Sequence, residues 1–169
     1  MPEIINDYRG AGRLSNLKML NKYGLRPTIL LETERGNIII RLDGYYAPFT
    51  TDAFLSAIER GFYNGLTFHR TVPNFVVQGG DPRGDGWGSP GYTLLTERSP
   101  IEFNCGAVGM VRTEYDTEGS QFFITLTDQP QLNYRYTRFG EVICGMDVVK
   151  RLEAGDRILA ISVVTMDER

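Results

Sequence analysis

A mainly β fold, an antiparallel barrel or sandwich, is what this sequence predicts, and three observations predict it. Short apolar, β-branched runs recur along most of residues 27–165. Only two substantial helical stretches interrupt them, and these are widely placed, so repeated βαβ units are excluded. The 169 residues suit one domain at roughly 100–200 residues per domain. With 41% hydrophobic and 23% charged residues the chain has a globular balance, which rules out global disorder.

Taken in order, residues 1–26 stand apart as an N-terminal extension, a short helix or a linker, and residues 27–169 form the domain. The extension carries five basic and two acidic residues, a net of +3, which leaves −6 for the rest of a chain whose total is −3. Gly10-Ala11-Gly12 is a flexible joint. Ser15 to Tyr23 fits a short helix capped by Ser15 and stopped at Gly24, with Leu17 and Leu20 as a thin apolar edge.

The runs Thr28–Thr33 and Asn37–Leu42 are strands joined at Glu34-Arg35-Gly36, a hairpin. Ala47 to Glu59 is the first substantial helix: Pro48 suits its first turn, Thr50 or Thr51 supplies the cap, and Gly61 stops it. Phe54, Leu55 and Ile58 share its buried face. Leu66–Val72 and Phe75–Gln78 are strands again. Six glycines and two prolines make residues 79–92 a long loop. Strands at Ala107–Arg112, Ser120–Leu126, Arg138–Ile143 and Leu159–Thr165 follow, with the second helix at Met146–Glu153.

Several function classes fall away on composition and spacing. A net charge of −3 argues against nucleic acid as a partner, since that contact runs on positive surface. The longest apolar runs, Ile158–Val164 among them, fall far short of the ~18 residues of a membrane span. No basic-then-apolar leader opens the chain, so a cytoplasmic location is expected. Cys105 and Cys144 lack zinc-ligand spacing and read as two reduced, buried thiols; no metal site is expected. The loop Gly79–Gly86 resembles a phosphate or calcium loop only in composition, and a surface turn cluster is the expectation. His69 is the sole histidine, has no G-x-S-x-G serine to serve, and reads as structural. Asp147 and Glu153 belong to a helix surface.

Two strands carry more information together. Period-2 alternation puts Phe68 and Arg70 on one face of the Leu66–Val72 strand. It separates Gln121 and Phe123 from Phe122 and Ile124 on the later one. An arginine and a glutamine beside phenylalanines have the composition of an apolar ligand pocket with a few fixed donors. A snorkelling arginine over a plain core is the competing reading.

The run Phe68-His69-Arg70-Thr71-Val72-Pro73-Asn74-Phe75-Val76-Val77-Gln78-Gly79-Gly80-Asp81 strongly resembles the signature of the cyclophilins, the cyclosporin-binding peptidyl-prolyl isomerases. Gly119-Ser120-Gln121-Phe122-Phe123-Ile124 resembles their second signature. Gly61–Leu66 and Phe139-Gly140-Glu141-Val142 fall where the family has similar runs, so the likeness spans about residues 28–166 in order. It implies a closed eight-stranded antiparallel β-barrel capped by two helices, with an active face outside. Arg70 takes the place of the catalytic arginine and Gln78 that of its positioning partner. Phe75, Val76, Phe123 and Leu132 would line a proline pocket that Gln121 borders. Val111, Arg112 and Thr113 would supply an edge that pairs with the peptide backbone.

Three positions depart from the well-known eukaryotic members: Gln131 stands in place of a tryptophan, Tyr136 of a histidine and Arg112 of an asparagine. The departures look more like bacterial or divergent multidomain members. The implied partners are proline-containing peptides and unfolded protein segments, with cyclosporin bound weakly because Gln131 lacks the indole. A cofactor-independent isomerase acting as a monomer in protein folding is the expectation; a proline-segment holding module with little catalysis is the alternative. The chemistry agrees. Twisting a prolyl amide costs about 20 kcal/mol in lost resonance, yet makes no bond, so it calls for no nucleophile, metal or cofactor.

Overall fold

The structure, a computed structural model, describes residues 3–4 and 16–164. In chain order the elements begin with β1 (Glu3–Ile4), α1 (Lys18–Tyr23), β2 (Thr28–Thr33), β3 (Gly36–Leu42) and α2 (Pro48–Glu59). β4 (Phe68–Val72), β5 (Val76–Gly79), β6 (Tyr92–Thr93), β7 (Ala107–Met110) and β8 (Phe122–Thr125) follow. A 3₁₀ turn at Pro130–Leu132, β9 (Arg138–Cys144), α3 (Met146–Val149) and β10 (Ile158–Val164) complete the described chain.

Eight strands form one antiparallel sheet in the order β10-β2-β3-β9-β7-β8-β5-β4, while β1 and β6 pair separately in parallel. The large sheet curls until its two edges meet. Thr67 and Arg157 bridge them, and Phe68 N–H donates to Asp156 O (2.9 Å) while Ile158 N–H donates to Leu66 O (2.8 Å). The barrel is therefore curled and stitched along one seam; the fully closed ladder expected from the sequence is slightly more than it achieves.

Alternation explains what fills it. Ile29, Leu31, Ile38 and Ile40 point inward from β2 and β3 and are at most 2% exposed. Phe54 of α2 stands at the centre of an aromatic cluster, its ring 4.8 Å from Tyr63, 5.0 Å from Phe139 and 5.6 Å from Phe122. Such tilted and edge-on pairs are the favoured aromatic geometries.

The helices correct the sequence reading in detail. α2 starts at Pro48 and buries Phe54, Leu55 and Ile58 as expected, but neither Thr50 nor Thr51 caps it. Both threonines are buried, and the Glu97 carboxylate accepts the Phe49 N–H (3.1 Å) and the Thr50 N–H (2.8 Å) instead. An acidic side chain at the positive helix end does the capping from a distant loop. α3 is a single turn rather than a helix to Glu153: the Asp156 carboxylate accepts the Glu153 N–H (2.8 Å) and draws the chain into a turn. Asp147 pairs with Arg151 on that turn, whereas Glu153 lies past the helix and pairs with Arg35. α1 packs on α2, where Asp52 accepts the N–H groups of Met19 (2.8 Å) and Leu20 (3.1 Å). The expected Ser15 cap lies outside the described residues. Cys105 and Cys144 are both free and exposed, not buried: Cys144 is the last residue of β9, whose end leaves the core, and Cys105 lies in the turn before β7.

Candidate active site on the outer face of the barrel

One row of residues across four neighbouring strands organises the outer face. Arg70 of β4 pairs with Gln78 of β5, Gln78 with Phe123 of β8, and Phe123 with Gly109 of β7. Directly opposed residues share a face, so Arg70, Gln78 and Phe123 project together. Phe68 does not join them. A β-bulge between Phe68 and Arg70 shifts the register, so Phe68 is fully buried inside while Arg70 is exposed outside. The expected common face of Phe68 and Arg70 is thereby overturned: one extra residue reverses the alternation.

The row borders a cavity of about 180 Å³ lined by Arg70, Phe75, Val76, Gln78, Val111, Arg112, Phe123, Leu132 and Tyr136. Its apolar side is a second cluster, separate from the barrel core, made by Val76, Phe103, Ala107, Phe123 and Leu132. Phe103 stacks on Phe123 with centroids 5.6 Å apart and an interplanar angle of 26°. Tyr136 meets Phe123 edge-on at 5.8 Å. Gly109 makes that stack possible, since a Cβ there would lie 2.4 Å from Phe123 and 2.7 Å from Phe103. Phe103 is the site residue that sequence reasoning misses. It sits in a loop with no periodicity, held by Asn133, whose Oδ1 accepts its N–H (2.8 Å).

Arg70 and Gln78 form the polar edge on the β4–β5 side, and Arg112 lines the cavity from beyond β7. Arg70 donates from Nη1 to Gln78 Oε1 (3.2 Å), and Gln78 Nε2 reaches Gln121 Oε1 at 3.5 Å, a chain that fixes all three. Gln121 donates in turn to the carbonyls of Gly86 (3.0 Å) and Gly88 (3.2 Å). It therefore faces a neighbouring cavity of about 240 Å³, which also takes in Thr113 and shares Val111 and Arg112 with the first. The expected peptide-pairing edge is partly engaged internally: Val111 N–H donates to Gln121 O (2.9 Å) and Thr113 N–H to Thr117 Oγ1 (3.2 Å). Gln131 lines neither cavity; its exposed side chain turns back to donate to Gln129 Oε1 (2.5 Å).

The remaining candidates serve the scaffold. Burial lowers the His69 pKa below the usual imidazole value, and both its nitrogens are enclosed without a hydrogen-bond partner among the described residues. Asp81 organises the glycine loop by accepting the N–H groups of Arg83 (2.9 Å), Asp85 (3.0 Å) and Gly86 (2.5 Å). Burial pushes its carboxyl up, but these donors outweigh burial and hold it below the usual carboxylate range. Its oxygens are occupied by backbone, as a turn cluster requires.

Comparison with known proteins identifies the family. The family model described as cyclophilin-type peptidyl-prolyl cis-trans isomerase/CLD matches residues 28–166. A peptidyl-prolyl cis-trans isomerase of Synechococcus elongatus is 41% identical over 138 residues, 80% of this chain and 95% of that protein. Peptidyl-prolyl cis-trans isomerase B of Bacillus subtilis is 45% identical over 119 residues, 69% of this chain and 83% of its own. Among solved structures, a Cryptosporidium parvum cyclophilin-type isomerase superposes with a TM-score of 0.79 at 27% identity, covering 84% of this chain and 99% of that one. The curled barrel, its outer pocket and these relatives together place the chain in the cyclophilin-type peptidyl-prolyl cis-trans isomerases, enzymes that rotate the X-Pro peptide bond.

Proposed function

We propose that Arg70 accelerates prolyl rotation while Phe75, Phe123 and Leu132 hold the proline ring. The observation that carries this is the row Arg70–Gln78–Phe123, which sets a guanidinium at the rim of an apolar pocket. In the planar ground state the prolyl nitrogen shares its lone pair with the carbonyl and accepts nothing. In the twisted state that pair is localised and accepts a hydrogen bond. A donor held there binds the transition state better than the substrate, and only such differential binding speeds the step.

The amount required is modest. A 10⁵-fold acceleration needs about 7 kcal/mol at 1.36 kcal/mol per decade. A charge-assisted bond shielded by the bound peptide supplies part, and orienting the ring against Phe123 supplies the rest. Gln78 acts on Arg70 by accepting from Nη1, which keeps the fork aimed over the pocket. Covalent bonds neither form nor break, so the chemistry requires no cofactor.

Proline-containing segments of unfolded or flexible chains are the substrates this site suits, because the pocket opens on the outside of the barrel and takes one small ring. The Cryptosporidium parvum relative solved in the presence of the dipeptide Ala-Pro, with a TM-score of 0.76, supports that substrate class. Cyclosporin binding is weak on the same reading: Gln131 is exposed, turned away on Gln129, and offers no ring surface. The test is NMR exchange spectroscopy on a short X-Pro peptide. Faster cis–trans exchange at catalytic amounts of protein is expected; saturable binding without faster exchange would make this a holding module instead.

A further inference from the structure

We infer that Arg112 makes this enzyme favour substrates that carry a carboxylate two or three residues from the proline. The inference rests on the proposed seat of the proline ring against Phe123. Arg112 borders both outer cavities, so a chain leaving the proline pocket toward the second must pass its side chain.

The guanidinium is held by aromatic faces. Its Cζ lies 3.8 Å from the centroid of Tyr115 and 4.7 Å from that of Tyr136. Both are cation–π distances, and two rings fix the plane of the fork better than one. Its Nε is enclosed with no acceptor, and no carboxylate forms an ion pair with it among the described residues. The charge is therefore oriented and uncompensated. Arg70 at the rim and exposed Arg98, whose Cζ is 5.6 Å from the Tyr115 centroid, likewise lack an ion-pair partner among the described residues, so three arginines without close counter-charges border this face although the whole chain is acidic. Two carboxylates flank Tyr115. Asp116 accepts the Thr96 N–H (2.8 Å), and exposed Glu114 forms no ion pair with any of these arginines.

Geometry sets the reach. Tyr136 is 5.8 Å from Phe123 and 4.7 Å from the guanidinium, so the charge at the pocket's edge lies within roughly 10 Å of the Phe123 ring, about three residues of extended chain at 3.3–3.6 Å each. A planar fork with its edge free matches a carboxylate in bidentate fashion. A lysine arriving at the same place meets like charge and is disfavoured.

The test compares kcat/KM on peptides alike except for Glu, Gln or Lys placed two or three residues from the proline, on each side in turn. On the side that passes Arg112 the Glu:Lys ratio should be about fivefold or more at low salt. It should shrink toward one near 0.5 M NaCl, where charges are screened within roughly 4 Å. Arg112→Gln should bring the ratio to about one and Arg112→Glu should invert it. Ratios are internal to each protein, so a loss of folded fraction cancels. A ratio near one in the natural enzyme on both sides, or one unchanged in Arg112→Gln, would overturn the inference. No acceleration of the neutral Gln peptide would instead strike the isomerase reading on which it rests.

Discussion

The two faces of the same strands make the most instructive comparison in this molecule. Inward from β5, β7 and β8 point Val77, Val108, Met110, Phe122 and Ile124, each no more than 1% exposed and all in one continuous core. Outward, one residue along, stand Gln78 and Phe123, with Phe103 and Leu132 behind them in a smaller cluster that stays open on one side. The interior has its shape filled by its own side chains. The exterior is equally aromatic but leaves one ring-sized space, bordered by donors. A period of two thus divides the residues that hold the barrel from those that line the outer pocket, where the proposed function seats the substrate.

The widest separation is expected between Phe122→Ala and Phe123→Ala. Emptying the interior position costs about 3–5 kcal/mol, or roughly 10 °C in Tm, with the surviving folded enzyme still active. The outer substitution should lower Tm by less than half as much while kcat/KM falls about tenfold or more, since it removes a wall of the outer pocket in which the proposed function seats the proline. Thermal melts and peptide kinetics on both variants check this; equal Tm losses would dissolve the distinction between the clusters.

Gln131→Trp sharpens the picture at the outer rim. A tryptophan adds ~80–100 Å² of apolar contact, worth about 2 kcal/mol at 25 cal/mol per Å², or thirtyfold in cyclosporin affinity. Small-peptide turnover should change little, because Gln131 does not line the proline pocket. An inhibition titration of both proteins under one set of conditions reads the difference, and nanomolar inhibition of the natural protein would contradict it.

A smaller effect tests the polar joint between the faces. Burial, with the Glu97 carboxylate adding to it, pushes the Glu118 pKa up to about 8, although Thr137 donates to its Oε1 (2.9 Å). The folded state therefore keeps this proton up to about pH 8, whereas the unfolded chain releases it near the ordinary value of 4.5. Between those limits the folded state binds more protons, so stability contributed by this group declines as pH rises. Glu118→Gln should flatten that part of the Tm-against-pH curve and raise Tm at pH 8 by a few degrees. An unchanged slope would mean that Glu118 ionises freely.

Much of this was legible in the residues, and the exceptions have physical causes. Alternation alone separates Phe122 and Ile124 from Gln121 and Phe123, because β8 is regular. The same rule fails at Phe68 and Arg70, where a bulge at His69 leaves no trace in the hydrophobic pattern. Glu97 caps α2 from 48 positions away, a tertiary contact that outweighs the local threonines. Phe103 is invisible for a related reason: its loop has no period, and its place under Phe123 depends on Gly109 and Asn133. The positions of Arg70, Phe75 and Leu132 in one pocket came from family likeness, since no spacing rule links residues 70, 75 and 132.

Arg70 stands on the outer face, where the proposed function gives it a role in catalysis and none in the fold. It is exposed, and among the described residues its side chain bonds only Gln78, so its loss should leave Tm within about 1 °C. The decisive measurement is kcat/KM of Arg70→Ala on a short X-Pro peptide, with Arg70→Lys alongside and the fold checked by melting. A fall of about 100-fold or more in a fully folded Arg70→Ala protein is predicted, with Arg70→Lys restoring little because a point charge cannot reproduce the planar fork. Near-normal kcat/KM in the folded alanine variant would show that Arg70 is not the group that accelerates prolyl rotation.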